Sequence, residues 1–188
     1  MSIHKNNIKN TLFLILVIAI LTLSGCKINK TTKEMPPSLS GNEELEEFGI
    51  SIGEKAPDFE LKTYDGNTIR LSDYRGNPVV LNFFATWCPF CNNEMPRLQK
   101  IVNEKYSNVK IIAIDDAFED ATTIEKWANE KGFEFPLLVD PDGKVKALYA
   151  IRSHPTTIYI DEKGIIKDKR YGSGTNAAIE ENLKKIAA

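Results

Sequence analysis

The sequence predicts one α/β domain in which helices flank a central mixed β-sheet. Between residues 79 and 131, short apolar runs rich in β-branched residues alternate with segments of helical periodicity, which indicates a parallel β-α-β unit. Two later apolar runs, joined by a tight turn, precede an amphipathic segment, which indicates an antiparallel β-β-α unit. The predicted domain therefore joins a parallel half to an antiparallel half.

The predicted elements, in chain order, are a hairpin of strands 58–64 and 68–71, a buried strand 79–85, a helix 88–106, a strand 109–115, a helix 120–131, a short strand 136–140, a short helix or turn 145–150, a hairpin of strands 156–161 and 165–171, and a helix 175–186. Asp65-Gly66-Asn67 and Glu162-Lys163-Gly164 are the turn sequences of the hairpins. Gly132 is expected to end a helix, and Pro96 to interrupt the first one.

The sequence Trp87-Cys88-Pro89-Phe90-Cys91 lies where the buried strand leads into the first helix. A thiol at a helix N-terminus faces unpaired backbone N–H groups and the positive end of the dipole, and both favour the nucleophilic thiolate. Proline is well tolerated at the first helical position, and Cys91 returns to the helical face of Cys88. We therefore predict a redox-active Cys88–Cys91 pair and no other cofactor.

A zinc site and a purely structural disulfide are the competing interpretations of this pair. Zinc needs three or four ligands, and the remaining cysteine and histidines are Cys26, His4 and His154. Cys26 and His4 fall in a leader region, so zinc would have to recruit carboxylates, and we expect no metal. A disulfide that closes so short a loop would constrain the unfolded chain little.

Residues 1–25 have the pattern of an export signal: Lys5 and Lys9 precede an apolar stretch over residues 12–23. Spanning a membrane takes roughly 20 apolar residues, so this stretch is short, and a retained signal anchor is the alternative. Leu23-Ser24-Gly25-Cys26 resembles the lipobox of bacterial lipoproteins. That resemblance implies cleavage before Cys26 and lipidation of its sulfur, which would place the dithiol outside the cytoplasm.

Residues 26–50 are predicted to form a flexible tether to a domain over residues 51–188. They are polar, include Pro36-Pro37, and offer too little apolar surface to fold alone. An acidic run at residues 42–47 is read as a solvated segment, with docking of a basic partner as the alternative. The formal net charge of −2, without a lysine or arginine cluster, gives no case for nucleic-acid binding.

The region from Asn82 to Cys91, together with Pro96 and Pro155-Thr156-Thr157, is similar to the thioredoxin superfamily and implies a thioredoxin-like fold. Two further segments narrow the resemblance: Gly53-Glu54-Lys55-Ala56-Pro57-Asp58-Phe59 and Leu71-Ser72-Asp73-Tyr74-Arg75-Gly76. With them, residues 50–188 resemble the membrane-tethered TlpA/ResA thiol–disulfide oxidoreductases, whose domain is of the AhpC/TSA-Redoxin type.

The resemblance implies roles for individual residues. Cys88 matches the nucleophile, Cys91 the resolving thiol, and Pro155 the cis-proline whose loop packs beside the disulfide. Pro96 matches the kinking proline of the active-site helix. Thioredoxins place a buried aspartate where this chain has Asn82, an amide that cannot take a proton.

Glu94 matches the acidic residue that TlpA/ResA proteins keep near their cysteines. One turn from Cys91, it could raise the pKa of that thiol and accept its proton through water. The alternative is a surface glutamate favoured by the helix dipole. His154 could favour a thiolate on Cys88, or could be a loop residue without an electrostatic role.

Trp87, Pro89 and Phe90, with His154, are predicted to contact the substrate, whereas Trp127 is read as ordinary core. The predicted reaction is thiol–disulfide exchange with exported proteins. The resemblance implies a reductant at the outer face of the cytoplasmic membrane. The rich use of Ile, Lys and Asn indicates a low-GC Gram-positive bacterium, and we expect a monomer. It would receive electrons from an integral-membrane thiol carrier of the CcdA/DsbD kind and act on apocytochrome c or other exported thiols.

Three other functions are alternatives to reduction of exported proteins. A catalyst of disulfide formation stays open, because Pro89-Phe90 differs from the Glu-Pro and Gly-Pro pairs common in reductive relatives. A peroxiredoxin shares the type of opening seen at residues 56–59, but its motif would need proline at Leu81 and threonine at Ala85. A lipid-anchored chaperone for an apoprotein or haem would keep binding after loss of both cysteines.

Overall fold

The computed structural model describes residues 48–187. Its elements are β1 (Glu60–Thr63), β2 (Thr68–Arg70), a 3-10 turn (Leu71–Tyr74), β3 (Val79–Phe84), α1 (Pro89–Lys105), β4 (Lys110–Asp115), α2 (Ala121–Lys131), β5 (Leu137–Val139), α3 (Lys144–Leu148), β6 (Thr156–Ile160), β7 (Ile166–Tyr171) and α4 (Asn176–Ile186). The predicted leader, Cys26 and the tether up to residue 47 lie outside the described residues and stay predictions. Between residues 48 and 187, no helix is long and apolar enough to cross a membrane.

The seven strands of the described region form one mixed sheet in the order β2-β1-β5-β4-β3-β6-β7. Strand β3 pairs in parallel with β4 and antiparallel with β6, and β4 pairs in parallel with β5. The hairpin of β1 and β2 is joined to this sheet through antiparallel pairing of β1 with β5. The predicted α/β class and mixed sheet with an N-terminal hairpin are confirmed.

Alternation along β3 divides the core between the two faces of the sheet. Val80 and Phe84 point to the face covered by α1, α2 and α4, whereas Leu81 and Phe83 point to the face covered by α3. All six residues of β3 are buried, as expected for a strand covered on both sides. Asn82 shares the face of Val80 and Phe84, so its amide points toward α1.

Helix α1 passes through Pro96 without a break, so the predicted interruption is wrong. Proline removes one backbone hydrogen bond and costs about 3 kcal/mol inside a helix. Met95, Leu98 and Ile101 are buried beside and beyond it, and each such side chain contributes about 1.5–3 kcal/mol. Packing on both sides of the proline therefore outweighs its local cost.

Candidate active site

Cys88 is the N-cap residue of α1, and Pro89 occupies the first helical position. Cys88 and Cys91, the two cysteines in the described part of the chain, are free thiols and neighbours at the start of α1. Cys88 is 4% exposed and Cys91 is fully buried, so Cys88 is the more accessible sulfur. The helix N-terminus that holds Cys88 also offers backbone N–H groups to a developing thiolate.

Burial raises the pKa of the Cys91 thiol well above its ordinary value. A backbone hydrogen bond with Ala85 opposes that rise, whereas the neighbouring Cys88 thiol and the Glu94 carboxylate add to it. Because the thiolate is the nucleophile, a thiol in this state attacks slowly until a base removes its proton. This arrangement suits a resolving thiol that stays protonated during the attack by Cys88.

Glu94 is 3% exposed, so the interpretation of it as a surface glutamate is wrong. Its Oε1 accepts the Thr157 hydroxyl at 2.9 Å, and its Oε2 accepts the backbone N–H of Gly174 at 2.5 Å. The Nδ2 of Asn82 donates to Thr157 Oγ1 at 2.8 Å. The carboxylate is therefore fixed between α1, β6 and the loop that precedes α4.

The loop before β6 lies beside the reactive sulfur. The His154–Pro155 peptide bond is cis. The carbonyl oxygen of His154 is 3.7 Å from the Sγ of Cys88 and accepts its S–H. The rings of His154 and Trp87 meet edge to face, with centroids 6.2 Å apart.

The side chain of His154 turns toward β4, where its Nε2 contacts the Oδ1 of Asp116. The other carboxylate oxygen of Asp116 lies 3.3 Å from the Nζ of Lys146. The ring of His154 is thus in contact with a buried carboxylate, and a role for it toward the Cys88 thiolate stays a prediction. The sequence interpretation missed Asp116. A signal was present, because Asp115-Asp116 stands at the carboxyl end of β4, and the carboxyl ends of the parallel strands β3 and β4 lie at the same edge of the sheet. Cys88 follows β3 at that edge.

Two further polar side chains hold the backbone around Cys88 and were not predicted. Glu119 accepts the backbone N–H of Thr86 at 2.7 Å. Asn92 donates to the carbonyl oxygens of Thr86 at 2.7 Å and of Cys88 at 3.0 Å, and accepts the indole N–H of Trp127 at 2.9 Å. Trp127 is buried against Phe84 as predicted, and it also braces the active-site turn.

An exposed apolar rim surrounds the buried pair. Trp87 is 68% exposed and Phe90 62%, and Pro89 between them is also exposed. Phe90 also borders an open groove lined by Asn93, Arg97 and residues 173–176. Exposed aromatic side chains next to a reactive thiol are typical of a surface that receives a protein substrate. In the part of the chain that the structure describes, no three His, Cys, Asp or Glu side chains are grouped to hold a metal ion.

Residues 52–169 match the AhpC/TSA family. The chain belongs to the AhpC/TSA family. The thiol–disulfide oxidoreductase ResA of Geobacillus kaustophilus is 37% identical over 142 residues, which is 75% of this chain and 81% of that protein. The family match spans strands β1 to β6 and the Cys88–Cys91 turn.

Solved structures of thiol–disulfide oxidoreductases share this fold. A thiol:disulfide interchange protein assigned as DsbE, from Chlorobium tepidum, superposes with a TM-score of 0.68 at 26% identity, covering 74% of this chain and all of that one. The exposed lipoprotein thioredoxin Etrx1 of Streptococcus pneumoniae is 34% identical with a TM-score of 0.55, covering 69% of this chain and 99% of that one. The thioredoxin-like fold is confirmed, and this AhpC/TSA protein is a thiol–disulfide oxidoreductase.

Proposed function

We propose that this oxidoreductase acts outside the cytoplasm as a lipid-anchored reductant of exported proteins. The observation that supports thiol–disulfide exchange is the pairing of an N-cap thiol, Cys88, with a buried Cys91 whose thiol pKa is raised. That asymmetry favours attack by Cys88 and resolution by Cys91. The rim formed by Trp87 and Phe90 is the surface against which the partner disulfide docks.

In the first step, the Cys88 thiolate attacks one sulfur of the partner disulfide, and the other partner sulfur leaves as a thiolate. Cys91 then loses its proton to Glu94, directly or through water, and attacks the Cys88 sulfur. The mixed disulfide breaks, the partner leaves as a dithiol, and Cys88 and Cys91 are joined. Two electrons have passed from this protein to the partner, so a thiol carrier must reduce the pair again.

Location outside the cytoplasm is supported by the export pattern of residues 1–25 and by Cys26 in a lipobox-like sequence. The similar pneumococcal protein is named an exposed lipoprotein. Two acyl chains on Cys26 would hold the chain stably at a membrane, where a single chain would bind only marginally. An integral-membrane thiol carrier of the CcdA/DsbD kind would then be within reach as electron donor, with apocytochrome c or other exported proteins as acceptors.

The direction of electron flow is tested by the reduction potential of the Cys88–Cys91 couple, measured by equilibration with glutathione or dithiothreitol buffers. A potential near or below about −250 mV is expected for a reductant, whereas one near about −120 mV would identify a catalyst of disulfide formation.

The anchor is tested separately by comparing the wild type with Cys26→Ala in fractionated cells. The wild type should sediment with membranes and incorporate labelled fatty acid. An unchanged label on Cys26→Ala would refute lipidation at that sulfur.

A further inference from the structure

Asp116 is a fully buried carboxylate that the exchange steps above do not use. It lies one residue beyond the end of β4, in contact with His154 and Lys146. Buried ion pairs of this kind often contribute no more stability than apolar residues of the same volume would. A contribution to stability is therefore a weak explanation for this buried carboxylate. Its position relative to the Cys88 thiol offers a better one.

A short chain of contacts leads from Asp116 to the reactive sulfur. Asp116 holds the imidazole of His154 on one side, and the Trp87 ring lies edge-on to the same imidazole. The carbonyl oxygen of His154 lies 3.7 Å from Cys88 Sγ. Fixing the His154 side chain therefore fixes the main-chain acceptor beside Cys88.

We propose that Asp116 is a positioning residue of the exchange reaction, which through His154 keeps a carbonyl oxygen against the Cys88 thiol. The inference rests on the proposed function, in which this pair cycles between dithiol and disulfide. The protonated Cys88 thiol of the dithiol form donates its S–H to the carbonyl oxygen, whereas the disulfide has no S–H to donate. The contact therefore stabilises the dithiol relative to the disulfide, and its loss shifts the pair toward the disulfide.

The test uses the full chain and glutathione as the probe. Oxidation of the dithiol by glutathione disulfide forms the Cys88–Cys91 bond and two molecules of glutathione. The ratio of oxidised to reduced protein at a known ratio of glutathione to glutathione disulfide therefore gives the equilibrium constant. Asp116→Ala should shift the equilibrium constant about two- to tenfold toward the disulfide, the range of one lost hydrogen bond. Asp116→Asn, whose amide oxygen still accepts the His154 N–H, should restore most of the wild-type value.

Asp140→Ala is the matched control. Asp140 is also buried, at 1% exposure, and accepts the backbone N–H of Lys146 at 2.7 Å, but its carboxylate does not belong to the Asp116–His154 contact. This variant should lose stability in urea while its glutathione equilibrium stays at the wild-type value. An equal shift in Asp140→Ala would overturn the proposal, because any loss of a buried carboxylate would then suffice.

An unchanged equilibrium in folded Asp116→Ala would also overturn the proposal. If that variant does not fold, His154→Ala makes the same test, since it removes the held side chain and keeps the carbonyl group. A wild type that equilibrates with glutathione but exchanges with no exported protein would refute the proposed function alone. The two ideas therefore fail in distinguishable ways.

Discussion

The Nδ2 atom of Asn82 lies 3.5 Å from the Oε1 atom of Glu94, and both side chains are buried. The strand position that holds an acid in thioredoxins holds an amide here, and the carboxylate comes from helix α1 instead. Asn82 and Thr157 face that carboxylate with hydrogen-bond donors. We propose that Glu94, a buried carboxylate one helical turn from Cys91, accepts the proton of that thiol.

Glu94→Gln should slow the resolution of a mixed disulfide by on the order of 100-fold, because the amide cannot accept the proton of Cys91. The measurement is the release of thionitrobenzoate from a mixed disulfide formed on Cys88, followed by stopped flow across pH. Glu104→Gln, an exposed glutamate on the same helix, is the control and should release it at the wild-type rate. Equal kinetics in both variants would remove Glu94 from the mechanism.

Burial raises the pKa of Asp115 to about 6, although the backbone N–H groups of Glu119 and Ala117 oppose the shift. Its ordinary value is 3.8, so between these pH values the folded protein binds more protons than the unfolded chain. The stability contributed by Asp115 is therefore present at low pH and is lost as pH rises through about 6.

Urea unfolding of the wild type and Asp115→Asn checks this sign. The free energy of unfolding of the wild type, relative to the variant, should fall as the pH rises from about 4 to about 7 and then level off. Asp142→Asn, at an exposed site, controls for the loss of one carboxylate. A relative stability that rises with pH over the same interval would contradict the assignment.

Trp127→Phe should lower the free energy of unfolding by about 1–2 kcal/mol, because the Oδ1 of Asn92 loses its donor while the stacked ring on Phe84 remains. Urea denaturation followed by circular dichroism measures the change. Trp87→Phe, at an exposed ring, should stay within about 0.5 kcal/mol of the wild type. A Trp127→Phe protein as stable as the wild type would show that the indole N–H does not brace the turn.

The position of the dithiol could be predicted from the sequence because its signals are local. A buried apolar run followed by cysteine and proline specifies a strand, an N-cap and a first helical turn, and the structure has all three. The core position of Trp127 could likewise be expected for a large apolar side chain on a predicted helix.

The surroundings of Glu94 and His154 could not be predicted, because their partners are distant in sequence. Gly174 follows Glu94 by 80 residues, and His154 follows Asp116 by 38. Such contacts depend on which strands lie side by side, and no periodic pattern specifies them. The uninterrupted helix at Pro96 has the same origin, since tertiary packing overrides a local preference.

The central claim is that Cys88 and Cys91 act in sequence on a partner disulfide, and Cys91→Ser in the full chain tests it most directly. Exported proteins captured by this variant, with Cys88→Ser,Cys91→Ser as the control, are separated on non-reducing gels before and after dithiothreitol. The exchange mechanism predicts covalent adducts on Cys88 that dithiothreitol releases and that the double variant lacks. Partners bound without any covalent adduct, and bound equally by the double variant, would contradict exchange and identify a protein that only holds its partners.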